Sequence, residues 1–334
     1  MAEAETPTVA VIGTGSIGSR HLRLLQAMGG VRPVAVPLRA ERVAEWKQNG
    51  FAACTVDDAR ALDPAGVIVC TDTARHAQTA AEWLARCPVL SEKPLAPTAA
   101  DASIAVEAAR RHGRSLYVAC NLRFDAGLRW IRERLPQIGR ITAVDAECLS
   151  WLPAWRPQRD FRETYSARAG EGGVLLDMIH EIDYCRWLFG ECESLVATVD
   201  NLGILGLPSE VDESVRVLWS TPADLRIGVS LSYVARPTRR TLRVSGDRGM
   251  LEWDLVKRAA RALDADGRVT DEYTWTGPDD MYRNQLAAWV AVLRGQGRNE
   301  DQRDLSTGAD GVAALRICDA ARASSRLKQW VRPS

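Results

Sequence analysis

The chain has 334 residues, with 43 Lys+Arg against 43 Asp+Glu and a formal net charge of zero. That length divides by default into two domains, each able to bury a core, and the charge balance gives no field for nucleic acid or an anionic membrane. No apolar run reaches membrane-spanning length and the acidic start at residues 1–8 lacks the apolar stretch of a signal peptide, so a soluble, cytoplasmic protein is expected.

The first element is the apolar strand Val9–Ile12, which runs into Gly13-x-Gly15-x-x-Gly18. In this pattern Gly13 allows a tight turn, Gly15 lets the backbone approach a pyrophosphate, and Gly18 lets the following helix pack close to the strand. The helix opening at Ser16 and Ile17 then points its N–H groups and dipole at the anion. Ile17, Leu22, Leu24, Leu25 and Met28 give that helix an apolar face, Gly29-Gly30 stops it, and a second strand follows at Val34–Val36. The acidic residue that would hold an NAD ribose at the end of this strand is missing. Position 37 is Pro, followed by Leu38, Arg39, Ala40, Glu41 and Arg42. Two arginines at that place favour a 2′-phosphate, hence NADP over NAD. Read the other way, Arg39 and Arg42 are the solvated start of the next helix, and Glu41 offers a ribose contact.

Strands at Phe51–Cys54, Val67–Cys70, Val89–Ser91 and Leu116–Cys120, with helices at 74–86 and 98–112, predict a doubly wound parallel sheet, a Rossmann domain over residues 1–120. Ligands of such sheets lie beyond the carboxyl ends of the strands. That gathers Gly13–Gly18, Thr71, Asp72, Thr73, Glu92, Lys93 and Asn121 around one crevice, with His21 and His76 nearby. Packing accounts for both histidines, and His76 is also a candidate cofactor contact.

From about residue 140 the strands follow one another without helices: Ile141–Trp151, Leu195–Asn201, Ser214–Ser220, Leu225–Tyr233 and Leu242–Val244. A Gly246-Asp-Arg-Gly249 hairpin then leads into Met250–Trp253. This predicts a second α/β domain, residues 121–334, with a large, mainly antiparallel open sheet. One helix is expected from Gly172 to Phe189, and two more at about 280–294 and 307–326. The eight cysteines are scattered without a Cys-x-x-Cys pair, so reduced, buried thiols are expected, and no cluster has zinc spacing.

Two segments carry chemistry, Ser91-Glu92-Lys93-Pro94 and the stretch containing Asp177, His180 and Asp183. Spacings of three along one helix put Asp177 and His180 on a shared face. Oxidising a secondary alcohol needs a base for the hydroxyl proton while hydride leaves the carbon, and imidazole has a suited pKa. A lysine ammonium stabilises the developing alkoxide, and a carboxylate beside the imidazole fixes its tautomer. Asp183 reads as a structural hydrogen-bond partner; Glu92 either orients its turn or contacts cofactor. The aromatic, Arg-rich stretch from Trp151 to Tyr165 is either a substrate-covering loop, with Trp155, Arg156 and Tyr165 as contacts, or a packed or intersubunit loop. Arg123 and Tyr282 complete the candidate substrate contacts.

Together, the glycine-rich turn, Glu92-Lys93-Pro94, Asn121-Leu-Arg123-Phe, the His180-x-x-Asp183 helix and the Gly246–Trp253 hairpin resemble the glucose–fructose oxidoreductase, inositol dehydrogenase and rhizopine-catabolism family (Gfo/Idh/MocA). The resemblance implies an NAD(P)-dependent oxidoreductase of sugars, cyclitols or related polyols, forming a homodimer or homotetramer through the open sheet. It also implies that Lys93, Asp177 and His180 form the catalytic group. One departure stands out: many members have three residues between that aspartate and histidine, and here only Met178 and Ile179 intervene. Rival readings are a ketoreductase of nucleotide-linked deoxysugars, redox-assisted glycoside hydrolysis, and a catalytically silent NAD(P)-binding regulator. The joint presence of Lys93 and His180 argues against the last.

Overall fold

Val9–Ile12 are fully buried or nearly so, and the strand they belong to, β1 (Thr8–Ile12), lies at the centre of a parallel sheet. The computed structural model describes residues 6–296 and 300–334, so the acidic stretch 1–5 lies outside the described residues. Two units are resolved within the chain.

The first unit contains residues up to Ala96, then Ala100–Phe124 and Asp279–Val312. Its other parallel strands are β2 (Arg32–Val36), β3 (Ala52–Ala53), β4 (Gly66–Val69), β5 (Val89–Ser91) and β6 (Leu116–Val118). The order is β6-β5-β4-β1-β2-β3, with the two-residue strand Ser306–Thr307 antiparallel beside β6. The order reverses between β1 and β4, the switch point at which open α/β sheets bind ligands. The connecting helices are α1 (Ser16–Met28), α2 (Val43–Gln48), α3 (Val56–Ala61), α4 (Thr73–Leu84) and α5 (Ala99–His112). Local chemistry sets their starts: Thr55 Oγ1 accepts the Asp58 N–H while Asp58 accepts back from the Thr55 N–H, a capping box for α3. The predicted strand Phe51–Cys54 shrinks to Ala52–Ala53.

The unit boundary departs from the predicted 120/121 split. The units part at Phe124/Asp125, and the late segment Asp279–Val312 returns to the first unit. The reason is hydrophobic: on the helix Asp280–Leu293, Leu286 and Trp289 are fully buried in the same core as Val9, Val11, Leu25 and Ile68.

The second unit holds α6 (Ala126–Arg134), β7 (Ile141–Trp151), α7 (Val174–Asp177) and α8 (His180–Phe189). Then follow β8 (Ser194–Asp200), β9 (Ser214–Ser220), β10 (Arg226–Ser232), β11 (Val234–Gly246), β12 (Gly249–Asp254), β13 (Ala259–Asp264) and β14 (Val269–Thr274). They form one sheet of order β14-β13-β12-β11-β7-β10-β9-β8, antiparallel except where β10 runs parallel to β7. β9 shows the expected period of two: Val215, Val217 and Trp219 are buried while Arg216 and Leu218 face outward. The Gly246–Gly249 hairpin forms as predicted, with Asp247 and Arg248 joining β11 to β12. α6, β13 and β14 were absent from the sequence reading. Edge strand β8 is closed by the C-terminal region: the Ala197 and Val199 N–H groups donate to the hydroxyls of Ser324 (3.0 Å) and Ser325 (2.9 Å), and Leu195 pairs with Val331.

The expected single helix Gly172–Phe189 is a correction. Asp177 ends α7, Met178 leaves the helical backbone (φ −100°, ψ 29°), and His180 starts α8. The shared-helix-face argument for Asp177 and His180 therefore fails. All eight cysteines are free, and the described residues contain no helix long and apolar enough to cross a membrane.

Candidate active-site residues and their neighbourhood

In the first unit, Gly13, Cys70, Glu92 and Asn121 follow the carboxyl ends of β1, β4, β5 and β6, four neighbouring strands. Each glycine of the turn has its own physical reason. A Cβ on Gly13, whose φ is +90°, would lie 2.4 Å from the Cys70 carbonyl oxygen, and one on Gly18 would lie 2.0 Å from the Gly13 carbonyl oxygen. Gly15 differs: its φ is −70° and a Cβ there would meet no protein atom within 4 Å. Among the described residues nothing requires glycine at position 15, so the residue fits the close approach of a ligand. Three further features point the same way. No side chain caps the start of α1, Gly15 and Ser16 are exposed with Ile17 half-buried, and the buried Thr14 Oγ1 has no hydrogen-bond partner among the described residues. Uncapped N–H groups at the start of a helix form an anion site, and these residues fit a dinucleotide pyrophosphate.

At the end of β2, Arg39 is exposed, whereas Arg42 is engaged: its guanidinium grips Glu45 through two bonds of 2.9 and 3.0 Å. Of the two arginines expected to meet a 2′-phosphate, Arg39 is the one that has no ion-pair partner among the described residues. Thr71 is half-buried, Asp72 exposed and Thr73 buried at the start of α4. The His76 ring nitrogens stand 2.9 Å from the Thr71 carbonyl and 2.7 Å from the Pro94 carbonyl, so His76 holds together two loops of the crevice. Asn121 is buried, and the Gln285 amide oxygen, turned toward them, accepts the Cys120 and Asn121 N–H groups (3.2 and 3.3 Å).

Lys93 is half-buried in the turn after β5. One oxygen of Glu92 lies 2.8 Å from His21 Nε2 and the other accepts the Lys93 backbone N–H at 3.2 Å. Burial alone would push the Glu92 carboxyl up; the His21 hydrogen bond and the fields of His21, Lys93 and His76 outweigh it and hold the group below the usual carboxylate range. Tyr282, at the start of the late helix, meets the His21 ring edge-on and carries the Arg20 guanidinium over its own ring at 4.7 Å, while burial and the Glu92 charge push its phenol up. Arg123 is buried with its guanidinium 3.6 Å from Asp310, a setting that ties it to this unit's interior.

In the second unit, Asp177 is buried and its Oδ2 accepts hydrogen bonds from Ser166 Oγ (2.6 Å) and Tyr233 Oη (2.5 Å). Tyr233 is fully buried; burial first, then the Asp177 charge, raises its phenol far above its usual range. Asp212 stands behind them, its carboxylate accepting the Leu175 N–H at 2.8 Å and its carbonyl accepting the Val174 N–H at 2.9 Å, so it anchors α7. Burial pushes the Asp212 carboxyl up, opposed by the Leu175 bond and Arg322 and reinforced by Asp177. His180, half-buried, is the first residue of α8, and the adjacent Glu181 is fully buried in a bidentate pair with Arg240 (2.7 and 3.0 Å) that pins α8 to β11. Asp183 is buried, as a structural partner would be.

Of the Trp151–Tyr165 stretch, Trp155 is 42% exposed, donates to Ser150 Oγ (2.9 Å) and packs edge-on against Tyr233. Arg156 is exposed and Tyr165 half-buried. Ser166, Asp212 and Tyr233 were missed from sequence. Ser166 and Asp212 lie in polar stretches that read as solvated loop, and Tyr233 as the end of the strand Leu225–Tyr233, so the sequence carried no signal for them.

Comparison with known proteins bears on both units. Residues 8–120 match the family model described as "Oxidoreductase family, NAD-binding Rossmann fold", and residues 128–252 match "GFO/IDH/MocA C-terminal domain". The rhizopine catabolism protein MocA of Rhizobium meliloti is 31% identical over 55% of this chain and 57% of its own length. Myo-inositol dehydrogenase Hyg17 of Streptomyces leeuwenhoekii is 29% identical over 95% of this chain and 97% of its own. Among solved structures, levoglucosan dehydrogenase in complex with NADH shares the fold with a TM-score of 0.83 at 21% identity, covering 98% of this chain and 99% of that one. With both of its units matched by the two models, this chain belongs to the Gfo/Idh/MocA family of NAD-binding oxidoreductases.

Proposed function

We propose that the chain is an NAD(P)-dependent dehydrogenase that interconverts a secondary hydroxyl and a ketone on a sugar, cyclitol or related polyol. The observation that carries the reading is the exposed, unobstructed Gly15 at the start of an uncapped helix, in the same unit as a lysine whose turn is fastened by a buried carboxylate. Bound at the glycine-rich turn, the oxidised cofactor supplies a hydride acceptor. His180 is the candidate base for the hydroxyl proton in the second unit, and the Lys93 ammonium is the candidate group for stabilising developing oxygen charge in the first. Asp177, fastened by Ser166 and Tyr233 rather than free to rotate, gives the second unit a fixed negative charge. Its field favours the imidazolium that forms at His180. Trp155 offers an exposed ring face and Arg156 a guanidinium for sugar hydroxyls.

Arg39, exposed where an acidic residue is missing, supports NADPH over NADH. A homodimer or homotetramer forms through the outward face of the second sheet. That face carries Asp145, Glu147, Arg216 and Arg243 around a shallow cavity of 490 Å³, with Leu218 41% exposed, and its mixed charges suit a second copy of itself.

The test is a screen of cyclitols, monosaccharides and sugar nucleotides with NADP+ and NAD+, following reduced nicotinamide by absorbance. Turnover of a free polyol supports the reading. Turnover confined to nucleotide-linked ketosugars with NADPH selects the ketoreductase instead, and dinucleotide binding without turnover of any substrate selects the regulator.

A further inference from the structure

We propose that His21 is a positioning residue for Lys93, acting through Glu92, a role that rests on Lys93 being the reactive lysine of the proposed dehydrogenase. His21 lies within α1, the helix that follows the glycine-rich turn, and is fully buried. Its Nε2 is 2.8 Å from Glu92 Oε1, and Glu92 Oε2 accepts the Lys93 N–H at 3.2 Å. One carboxylate therefore bridges α1 to the peptide that carries Lys93, across 71 residues of sequence.

The arrangement is costly for a core. His21 Nδ1 is buried with no hydrogen-bond partner among the described residues, whereas an apolar side chain would fill the site without that penalty. A buried polar group kept at such a cost calls for a task beyond packing. The Tyr282 ring, edge-on at 6.4 Å between centroids, packs against the imidazole. On the other side of Lys93, the Pro94 carbonyl is held by His76. The Lys93 peptide is thus fastened before and after, once to α1 and once to α4.

The experiment uses the full-length protein and three variants: His21→Phe, which keeps the ring but removes the bond, His21→Gln, which restores a donor, and Glu92→Gln. Lys93 is one of four lysines, with Lys47, Lys257 and Lys328, so competitive lysine acetylation read by mass spectrometry resolves it. In His21→Phe the Lys93 labelling rate should change by about fivefold or more while the other three lysines hold, and NADPH affinity should stay within about threefold. With a polyol that wild type oxidises, kcat should fall about tenfold or more with KM little changed, and His21→Gln should recover part of it. Unaltered Lys93 labelling and kcat would overturn the proposal. So would a matching change at all four lysines with an equal loss of NADPH binding, which is general loosening. If His21→Phe does not fold, Glu92→Gln decides by the same labelling criterion. If wild type oxidises no polyol, the proposed dehydrogenase reading falls while Lys93 labelling still decides the role of His21.

Discussion

Glu92 in the first unit and Asp177 in the second are both buried carboxylates near a candidate catalytic residue, yet their partners differ in kind. Glu92 is held by an imidazole and a backbone N–H, in the fields of Lys93 and His76, and is pushed below the ordinary range. Asp177 is held by two hydroxyls, with a second carboxylate, Asp212, whose proton is bound more tightly than usual. The first setting collects basic groups around its carboxylate; the second holds its carboxylate by neutral hydroxyls, with Arg322 acting on the neighbouring Asp212.

The strongest way to break this comparison is to remove the two groups it assigns. Lys93→Ala and His180→Ala should each lower kcat by about 10²–10⁴ with dinucleotide affinity little changed, and the double variant should lose less than the product, as groups acting as a unit do. Steady-state kinetics and fluorescence titration with NADPH check this. Fully multiplicative losses would show the residues acting independently.

Next in size are two glycines with opposite reasons to exist. Gly173→Ala forces φ of +102° on alanine and sets its Cβ 2.5 Å from Asp212 Oδ1, so chemical denaturation should show a loss of about 2–4 kcal/mol. Gly15→Ala meets nothing, so stability should hold to within about 1 kcal/mol while NADPH affinity falls sharply. Equal stability losses would erase the distinction between a structural and a ligand-facing glycine. Smaller again, Arg39→Ala should narrow the preference for NADPH over NADH by roughly 1–2 kcal/mol, and Arg42→Ala, already spent on Glu45, should narrow it less.

The smallest effects lie in pH. Glu92 has its folded pKa below the ordinary 4.5, so it stabilises the fold above that value and the contribution is lost as pH falls through the lower folded value. The Tm deficit of Glu92→Gln should therefore shrink in acid. Asp212 has its folded pKa above 3.8, so its cost sets in as pH rises through the folded value. Asp212→Asn should compare best with wild type at neutral pH and lose that advantage in acid. Parallel Tm curves for both variants from pH 3 to 7 would contradict the opposed settings.

Local motifs were legible because their physics is local. The β1 strand, the glycine turn and the Glu92-Lys93-Pro94 segment each show as a short contiguous pattern, and the family resemblance drawn from them holds. The pairing of Arg42 with Glu45 three residues on was also readable. The break at Met178 and Ile179 was not: both are apolar and buried, and a continuous amphipathic helix would place them equally well. Asp212, 35 residues after Asp177, grips the N-terminus of α7, and Tyr233 holds Asp177 at its end, which fixes this short helix separately from α8. Such long-range partners leave no periodicity to read. The same holds for Trp289, whose helix looks like any late amphipathic helix until its core is known.

That late helix has a consequence for biosynthesis. Because Leu286, Trp289 and the strand Ser306–Thr307 complete the first unit's core and sheet, its N-terminal 124 residues emerge from the ribosome with their hydrophobic interior unfinished. The nucleotide-binding unit closes only after residues through Val312 have emerged, when the intervening stretch Asp125–Pro278 has already left the tunnel. A nascent chain stalled before position 279 should accordingly be sensitive to protease in its first 124 residues, and a gene fragment cut where the Rossmann model ends should aggregate rather than bind dinucleotide.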